Sequence, residues 1–161
     1  MEIHIRPAAA RDYEALLLLF EEVDALHRQH HPERFRKPAG PARERDFFLA
    51  ALDDAHVGFF VAEDKGELVG HVHIIVRETP PVPILKPRRL AYIDEIVVKV
   101  AYRGRGVGHL LMEQAEAWAR TNGATAIELG VYEFNQEAQA FYRDLGYTTF
   151  HRRMGKSLEE S

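Results

Sequence analysis

The sequence predicts a single α/β domain with a mixed central sheet of about six or seven strands and helices on both faces. Strand-like and helix-like segments alternate along the chain, which is typical of this class. The segment Leu90–Val100 is apolar on both sides, as expected of a central strand covered by helices on two faces. With 161 residues, the chain is long enough to bury one sizeable core. We expect residues 1–158 to form this domain and residues 159–161 to form a short tail.

Apolar periodicity defines the individual elements. Alternating or continuous apolar runs predict strands at Ile3–Arg6, Val57–Ala62, Leu68–Val76, Leu90–Val100, Ala126–Val131, Tyr147–Phe150 and Arg152–Met154. Apolar residues at i, i+3 and i+4 predict helices at Ala10–Gln29, Ala42–Asp53 and Val107–Thr121, and a last helix from Asn135 to about Leu145. Gly123 and Gly146 are expected to end the last two helices.

The composition excludes several functional classes. A formal net charge of −4 argues against non-specific nucleic-acid binding, which needs an excess of Lys and Arg. The chain has no cysteine, which excludes disulfides, thiolate metal sites and a cysteine nucleophile. No apolar run approaches membrane-spanning length, and the first residues read as a strand rather than a signal peptide. We therefore expect a cytoplasmic protein that binds neither nucleic acid nor membrane.

The irregular stretch from His27 to Pro41 contains two histidines, His27 and His31, that one helical face could present to a metal. No nearby carboxylate or thiol completes a ligand set, so we predict a polar helix end and loop, and no metal site. The alternative is a rim over a substrate pocket. Phe35 is the residue expected to anchor this loop.

A glycine-rich turn lies between the predicted central strand and the helix that follows it. Arg103–Gly108 reads R-x-x-G-x-G, with a further glycine at Gly104. Closely spaced glycines before a helix expose backbone N–H groups that can surround an anion, and the helix N-terminus adds partial positive charge. The turn lacks the Gly-Lys-Ser/Thr ending of a Walker loop and the G-x-G-x-x-G spacing of a dinucleotide fold. By itself the pattern also fits a tight turn that binds nothing.

A second motif follows one helix and one strand later. The segment Tyr132–Tyr147 fits N-x-x-A-x-x-F-Y-x-x-x-G-F/Y, with the matching residues Asn135, Ala138, Phe141, Tyr142, Gly146 and Tyr147. The two motifs in this order resemble the GNAT superfamily of N-acyltransferases. The resemblance implies a GNAT-like fold, and it is specific from Tyr92 to Tyr147.

The resemblance also implies a binding site for acetyl-CoA as co-substrate. The backbone of Ile96, Val97 and Val98 would pair with the pantetheine arm as an added strand does. The pyrophosphate would lie on the turn formed by Arg103, Gly104, Arg105, Gly106, Val107, Gly108 and His109. Asn135 would bond the pantetheine, cap its helix, or do both.

Acyl transfer to an amine needs a base on the amine side, an acid near the leaving sulfur and donors for the oxyanion. Tyr142 is the candidate acid, because the family's catalytic tyrosine occupies this position; a core tyrosine is the alternative. Asp94 and Glu95 are the candidate bases. Adjacent strand residues point to opposite faces, so we expect one of them to reach the amine, with a slight preference for Asp94. A backbone N–H near Val98 would polarise the thioester.

The sequence therefore predicts an N-acetyltransferase that moves an acetyl group from acetyl-CoA to a primary amine by direct attack. A small-molecule amine is favoured, and a peptide or protein amine is the alternative acceptor. The rival from another class is a non-catalytic acyl-CoA-binding or sensing module. An exposed strand edge near the C-terminus is a candidate surface for a homodimer, as in some relatives.

Overall fold

The computed structural model describes residues 1–160, which form two compact units, one from Met1 to Leu129 and one from Gly130 onwards. The strands are β1 (Ile3–Pro7), β2 (Val57–Asp64), β3 (Glu67–Glu78), β4 (Arg89–Val98) and β5 (Ala126–Leu129). The helices are α1 (Tyr13–His30), α2 (Arg45–Asp53), α3 (Val107–Thr121) and α4 (Gln136–Asp144). Short 3-10 turns lie at Ala10–Asp12 and Val100–Tyr102.

The first unit contains one five-stranded sheet in the order β1-β2-β3-β4-β5. The first four strands are antiparallel neighbours, and β5 pairs parallel to β4, so the sheet is mixed as predicted. The expected count of six or seven strands is wrong. Tyr147–Phe150 and Arg152–Met154 form no strand, and their apolar residues Phe150 and Met154 are exposed. Alternation alone does not make a strand without a paired neighbour and a covered face.

Helices cover both faces of this sheet. On one face, Gly58 of β2 lies under α3, where a Cβ would come within 2.8 Å of the Trp118 ring. On the other face, Tyr13, Leu16 and Phe20 of α1 and Phe48 of α2 form a core with Val61 and Val97. His71 and His73 of β3 lie on this second face, because both rings contact Phe59 of β2. The helix α1–α2 side therefore combines apolar packing with buried polar groups.

Strand β4 has two irregular features, a β-bulge and a segment that is paired on one side only. Its pairing with β3 shifts between His73↔Glu95 and Ile74↔Ile93, so Asp94 is an extra residue in a β-bulge. Its pairing with β5 stops at Ile93. The segment from Glu95 to Val98 is therefore paired on the β3 side only, within residues 1–129.

The second unit contains α4. The side chain of Asn135 caps this helix by accepting a hydrogen bond from Ala138 N at 3.0 Å, as predicted. Gly146 follows the helix with a φ of 93°, the left-handed geometry that favours glycine. No helix within residues 1–160 has the length and apolar character needed to span a bilayer.

Candidate active site

The glycine-rich turn has the geometry of an anion site. Gly104 and Gly106 have φ angles of 74° and 86°, and Gly106 is the residue immediately before α3. A Cβ at either glycine would meet no atom within 4 Å, so the space beside these two residues is open. Within the described chain, the amides of Gly106, Val107 and Gly108 donate no backbone hydrogen bond. These N–H groups are available to bind a diphosphate.

The side chains of the turn have different surroundings. The guanidinium of Arg103 donates from Nε to the Val98 carbonyl at 3.0 Å, which ties the turn to the end of β4. Arg105 lies over the ring of Tyr102 at 5.6 Å. His109 is exposed in the first turn of α3. The unpaired side of Ile96–Val98 leads directly into this turn, which suits the predicted pairing of β4 with an extended ligand arm.

A small pocket opens beside the bulge at Asp94, two residues before this segment. It is bordered by residues from α1, the loop before α2, α2 itself and three strands: Phe20, Arg43, Phe47, Phe48, Ala51, Phe59, His73, Asp94 and Glu95. The bulge breaks the alternation expected of adjacent strand residues, so Asp94 and Glu95 border the same pocket. Adjacent strand residues were expected to point to opposite faces, and the bulge is the reason that these two do not. Which of them reaches the amine stays a prediction.

Glu95 belongs to a partly buried ionic network. Arg43 donates to Glu95 Oε2 at 2.7 Å and to both carboxylate oxygens of Asp24 at 3.0 and 3.2 Å. Nε2 of His71 lies 3.3 Å from Glu95 Oε1, and His71 is fully buried. Burial alone would raise the pKa of Glu95, but His71 and Arg43 outweigh it and hold the pKa below its ordinary value. Glu95 is therefore a fixed negative charge at neutral pH.

Asp94 pairs with the other histidine of β3. Nδ1 of His73 lies 3.2 Å from Asp94 Oδ2, and this interaction lowers the pKa of Asp94. An ionised carboxylate only accepts, so Nδ1 of His73 carries a proton in this pair. Nε2 of His73 is buried and has no hydrogen-bond partner within residues 1–160. The pair therefore leaves one ring nitrogen without a partner on a residue that borders the pocket.

Asn135 and Tyr142, the predicted site residues of the second unit, both have local partners. Asn135 makes its cap, and the ring of Tyr142 packs against Phe141 and Tyr147 with centroids 5.3 and 5.9 Å away. Burial raises the pKa of Tyr142 to about 12, so its hydroxyl is protonated at neutral pH.

Sequence reasoning missed His71, His73, Arg43 and the phenylalanines of the pocket. The available signal was the H-x-H spacing of His71 and His73, which places two imidazoles on one face of a strand. The His27–Pro41 stretch is the helix end and loop that was predicted, because α1 ends at His30 and Phe35 packs on the ring of His27 at 5.4 Å. No cluster of three metal-ligating side chains occurs in residues 1–160.

Another depression, of about 460 Å³, lies at the opposite end of β4. Arg77, Tyr92 and Glu128 are among the residues that border it. Although it is larger, it contains no histidine and lies at the end of β4 remote from the glycine-rich turn. The pocket at Asp94 and Glu95 is therefore the better candidate for the chemistry.

Comparisons with known proteins agree with this geometry. A family model described as "Acetyltransferase (GNAT) family" matches residues 20–147. An uncharacterised N-acetyltransferase of Methanocaldococcus jannaschii is 37% identical over 90 residues, which are 56% of this chain and 38% of that protein. The aminoalkylphosphonate N-acetyltransferase of Salmonella typhimurium is 32% identical over 71% of both chains.

A solved structure shows the same fold. A mutant of the BH1408 protein of Bacillus halodurans superposes with a TM-score of 0.92 at 30% identity, and the match covers 97% of this chain and 99% of that one. Members of the matching family transfer an acetyl group from acetyl-CoA. The chain therefore belongs to the acetyltransferase (GNAT) family and is an N-acetyltransferase with acetyl-CoA as its donor.

Proposed function

We propose that the chain transfers the acetyl group directly from acetyl-CoA to a small primary amine held at Asp94 and Glu95. The observation that carries this proposal is the position of an anionic pocket on the same strand as the donor segment. Glu95 and Val98 are three residues apart on β4, about 10 Å along a strand, so an amine and a thioester could meet beside it. The relative named for aminoalkylphosphonates supports a small-molecule acceptor over a protein.

In the proposed binding step, the carboxylates of the pocket attract the protonated amine. Amines arrive protonated at neutral pH, with a reference pKa of about 10.4 for a lysine-like group. Two carboxylates, Asp94 and Glu95, border the pocket, and within residues 1–160 Arg43 is the one Lys or Arg side chain that borders it. Arg43 is already shared between Glu95 and Asp24, so the pocket favours an ammonium.

The proposed proton acceptor is His73. Asp94 and Glu95 both have lowered pKa values, which makes them weak bases, whereas a neutral imidazole is a stronger base than either carboxylate. Nε2 of His73 would take the ammonium proton while Asp94 holds the ring through Nδ1. The sequence made Asp94 and Glu95 the candidate bases. In this proposal Asp94 instead acts through His73, and Glu95 binds the charge of the amine.

The neutral amine would then attack the thioester carbon. As the C–S bond breaks, the proton that the attacking nitrogen loses would pass to the departing sulfur, giving the amide and the free thiol of CoA. In this proposal the diphosphate is held by the turn from Arg103 to His109, the pantetheine pairs with Ile96–Val98, and Asn135 bonds the arm. The N–H near Val98 supports the oxyanion. The phenol of Tyr142 is the proposed partner of the leaving thiolate. With a pKa of about 12 against about 8.5 for a thiol, the phenol stabilises the sulfur by donating a hydrogen bond more readily than by giving up its proton.

A thiol-release assay tests the proposal. The protein is incubated with acetyl-CoA and pooled amines, amino acids, aminoglycosides and peptides, and free CoA is measured together with the amide product. Amine-dependent release of CoA with matching amide is expected. Tight binding of acetyl-CoA in calorimetry without release by any amine would instead identify the alternative, a non-catalytic acyl-CoA-binding module.

A further inference from the structure

The pocket at Asp94 and Glu95 is lined by aromatic rings as well as by charge. Phe20, Phe47, Phe48 and Phe59 are among the residues that border it. Phe48 is buried against Tyr13 and Phe59, with ring centroids 5.7 and 5.4 Å away. These rings leave few polar groups to bond hydroxyls or amides on an acceptor.

The pocket has no spare positive charge for an acidic acceptor. The guanidinium of Arg43 contacts the carboxylates of Asp24 and Glu95 and lies 4.7 Å from the centre of the Phe20 ring. An acceptor with a carboxylate or phosphonate beside its amine would bring a second anion to Asp94 and Glu95 without a free partner. Such a contact is repulsive in a partly buried site.

The pocket is small, with a cavity volume of about 40 Å³. A cavity of this size suits a slim group, such as an ammonium on a short unbranched arm, better than a branched or bulky one. Any larger part of the acceptor must therefore lie at the mouth.

The mouth offers an exposed aromatic surface. Phe47, on the first turn of α2, is 65% exposed although it borders the pocket. A large apolar side chain exposed beside a polar cavity is a typical contact for an apolar ligand.

From these observations we propose that the acceptor is a monoamine with a short unbranched arm and an apolar body, a class that includes the 2-arylethylamines. Its ammonium enters between Glu95 and His73, and its apolar body rests on Phe47. Phe47 is thus a specificity residue. This inference rests on the proposed acetyltransferase function and names the acceptor of the same site.

The test compares kcat/KM for four amines: 2-phenylethylamine, its branched isomer 1-phenylethylamine, putrescine and 2-aminoethylphosphonate. We expect 2-phenylethylamine to be the best acceptor, with each of the others at least tenfold poorer. Phe47→Ala should raise KM for 2-phenylethylamine about tenfold. It should leave KM nearly unchanged for ethylamine, a fifth amine measured for comparison, because only the larger amine reaches the mouth. Leu18→Ala, which removes another exposed apolar side chain, is the matched control and should change neither.

The outcomes separate the two proposals. A higher kcat/KM for putrescine, the phosphonate or the branched isomer, or an equal effect of Phe47→Ala on both amines, would overturn the acceptor assignment and leave acetyl transfer intact. No CoA release with any of the four amines or with the broad panel would overturn the proposed function, and the acceptor class with it.

Discussion

Replacing His73 by glutamine tests the proposed proton transfer. Glutamine is close in length and can still donate a hydrogen bond to Asp94, which His73 contacts at 3.2 Å. It cannot accept a proton at neutral pH. The variant therefore removes the proposed base but keeps a side chain of similar size that can donate a hydrogen bond.

The size of the effect follows from the acid–base chemistry of the amine. An alkylamine with a pKa of about 10.4 is about 0.04% neutral at pH 7. Without a base, the variant depends on this neutral fraction. We expect kcat/KM to fall roughly 2,500-fold at pH 7, within the range of about 10²–10⁴ usual for general-base catalysis. The deficit should shrink roughly tenfold per pH unit, to about 25-fold at pH 9.

The assay is CoA release with a primary amine between pH 6.5 and 9.5. The wild-type profile should level off well below the pKa of the amine, whereas the variant should keep rising with a slope near one. His56→Gln is the matched control, because His56 also faces an aspartate, Asp54 at 3.4 Å, but is exposed and borders no part of the pocket. It should behave as wild type.

Two results would refute this reasoning. One is a His73→Gln variant with wild-type kcat/KM at pH 7. The other is a loss of activity that stays constant with pH, which would indicate a structural effect rather than a missing base. The melting temperature and the affinity for acetyl-CoA are measured alongside to identify the second case.

Three further predictions concern other parts of the chain. Tyr142→Phe should lower kcat about 10- to 100-fold while the affinity for acetyl-CoA stays unchanged, and an unchanged kcat would remove Tyr142 from catalysis. Because the pKa of Tyr142 is about 12, the wild-type rate should show no ionisation of the phenol below pH 11. Gly106→Val should abolish acetyl-CoA binding in calorimetry. Gly66→Val is the control, since Gly66 also has a φ of 86° but lies in the β2–β3 turn, and this variant should still bind. Equal affinities of the two variants would refute the assignment of the glycine-rich turn to the diphosphate. Arg6→Leu should destabilise the fold by about 3–5 kcal/mol in denaturant unfolding, because it leaves buried Asp12 unpaired, and a change under 1 kcal/mol would contradict this.

The same ion pair gives a pH dependence with a definite sign. Burial alone would raise the pKa of Asp12, but Arg6 and the amide of Ala9 hold it below its ordinary value. A carboxyl whose folded-state pKa is lowered contributes stability above its unfolded pKa of about 3.9 and loses it as pH falls through the folded value. Acid unfolding of the wild type should therefore be steeper below about pH 4 than that of Arg6→Leu.

Most element positions could be predicted from the sequence where periodicity and stop signals agree. Helix α3 has the predicted bounds, Val107–Thr121, because glycines precede it and Gly123 ends it. The cap at Asn135 was also predicted, since its side chain needs only the local amide of Ala138. These features depend on neighbouring residues alone.

The site could be predicted only in part, because its other groups come together through long-range pairing. The carboxylates at Asp94 and Glu95 were identified, but their common orientation depends on a bulge that exists only in the pairing with β3. Arg43 reaches Glu95 from 52 residues away, and no local pattern indicates that contact. The C-terminal strands were predicted wrongly, since alternation does not reveal whether a partner strand is present.

A crystal structure with a bisubstrate analogue would test the central claim most directly. The analogue joins the CoA sulfur through an acetyl linker to the nitrogen of a simple primary amine. We predict the diphosphate on the amides of Gly106, Val107 and Gly108, and the amine nitrogen within about 3.2 Å of Glu95 or His73. An amine nitrogen elsewhere, such as in the depression bordered by Arg77 and Glu128, would contradict the account.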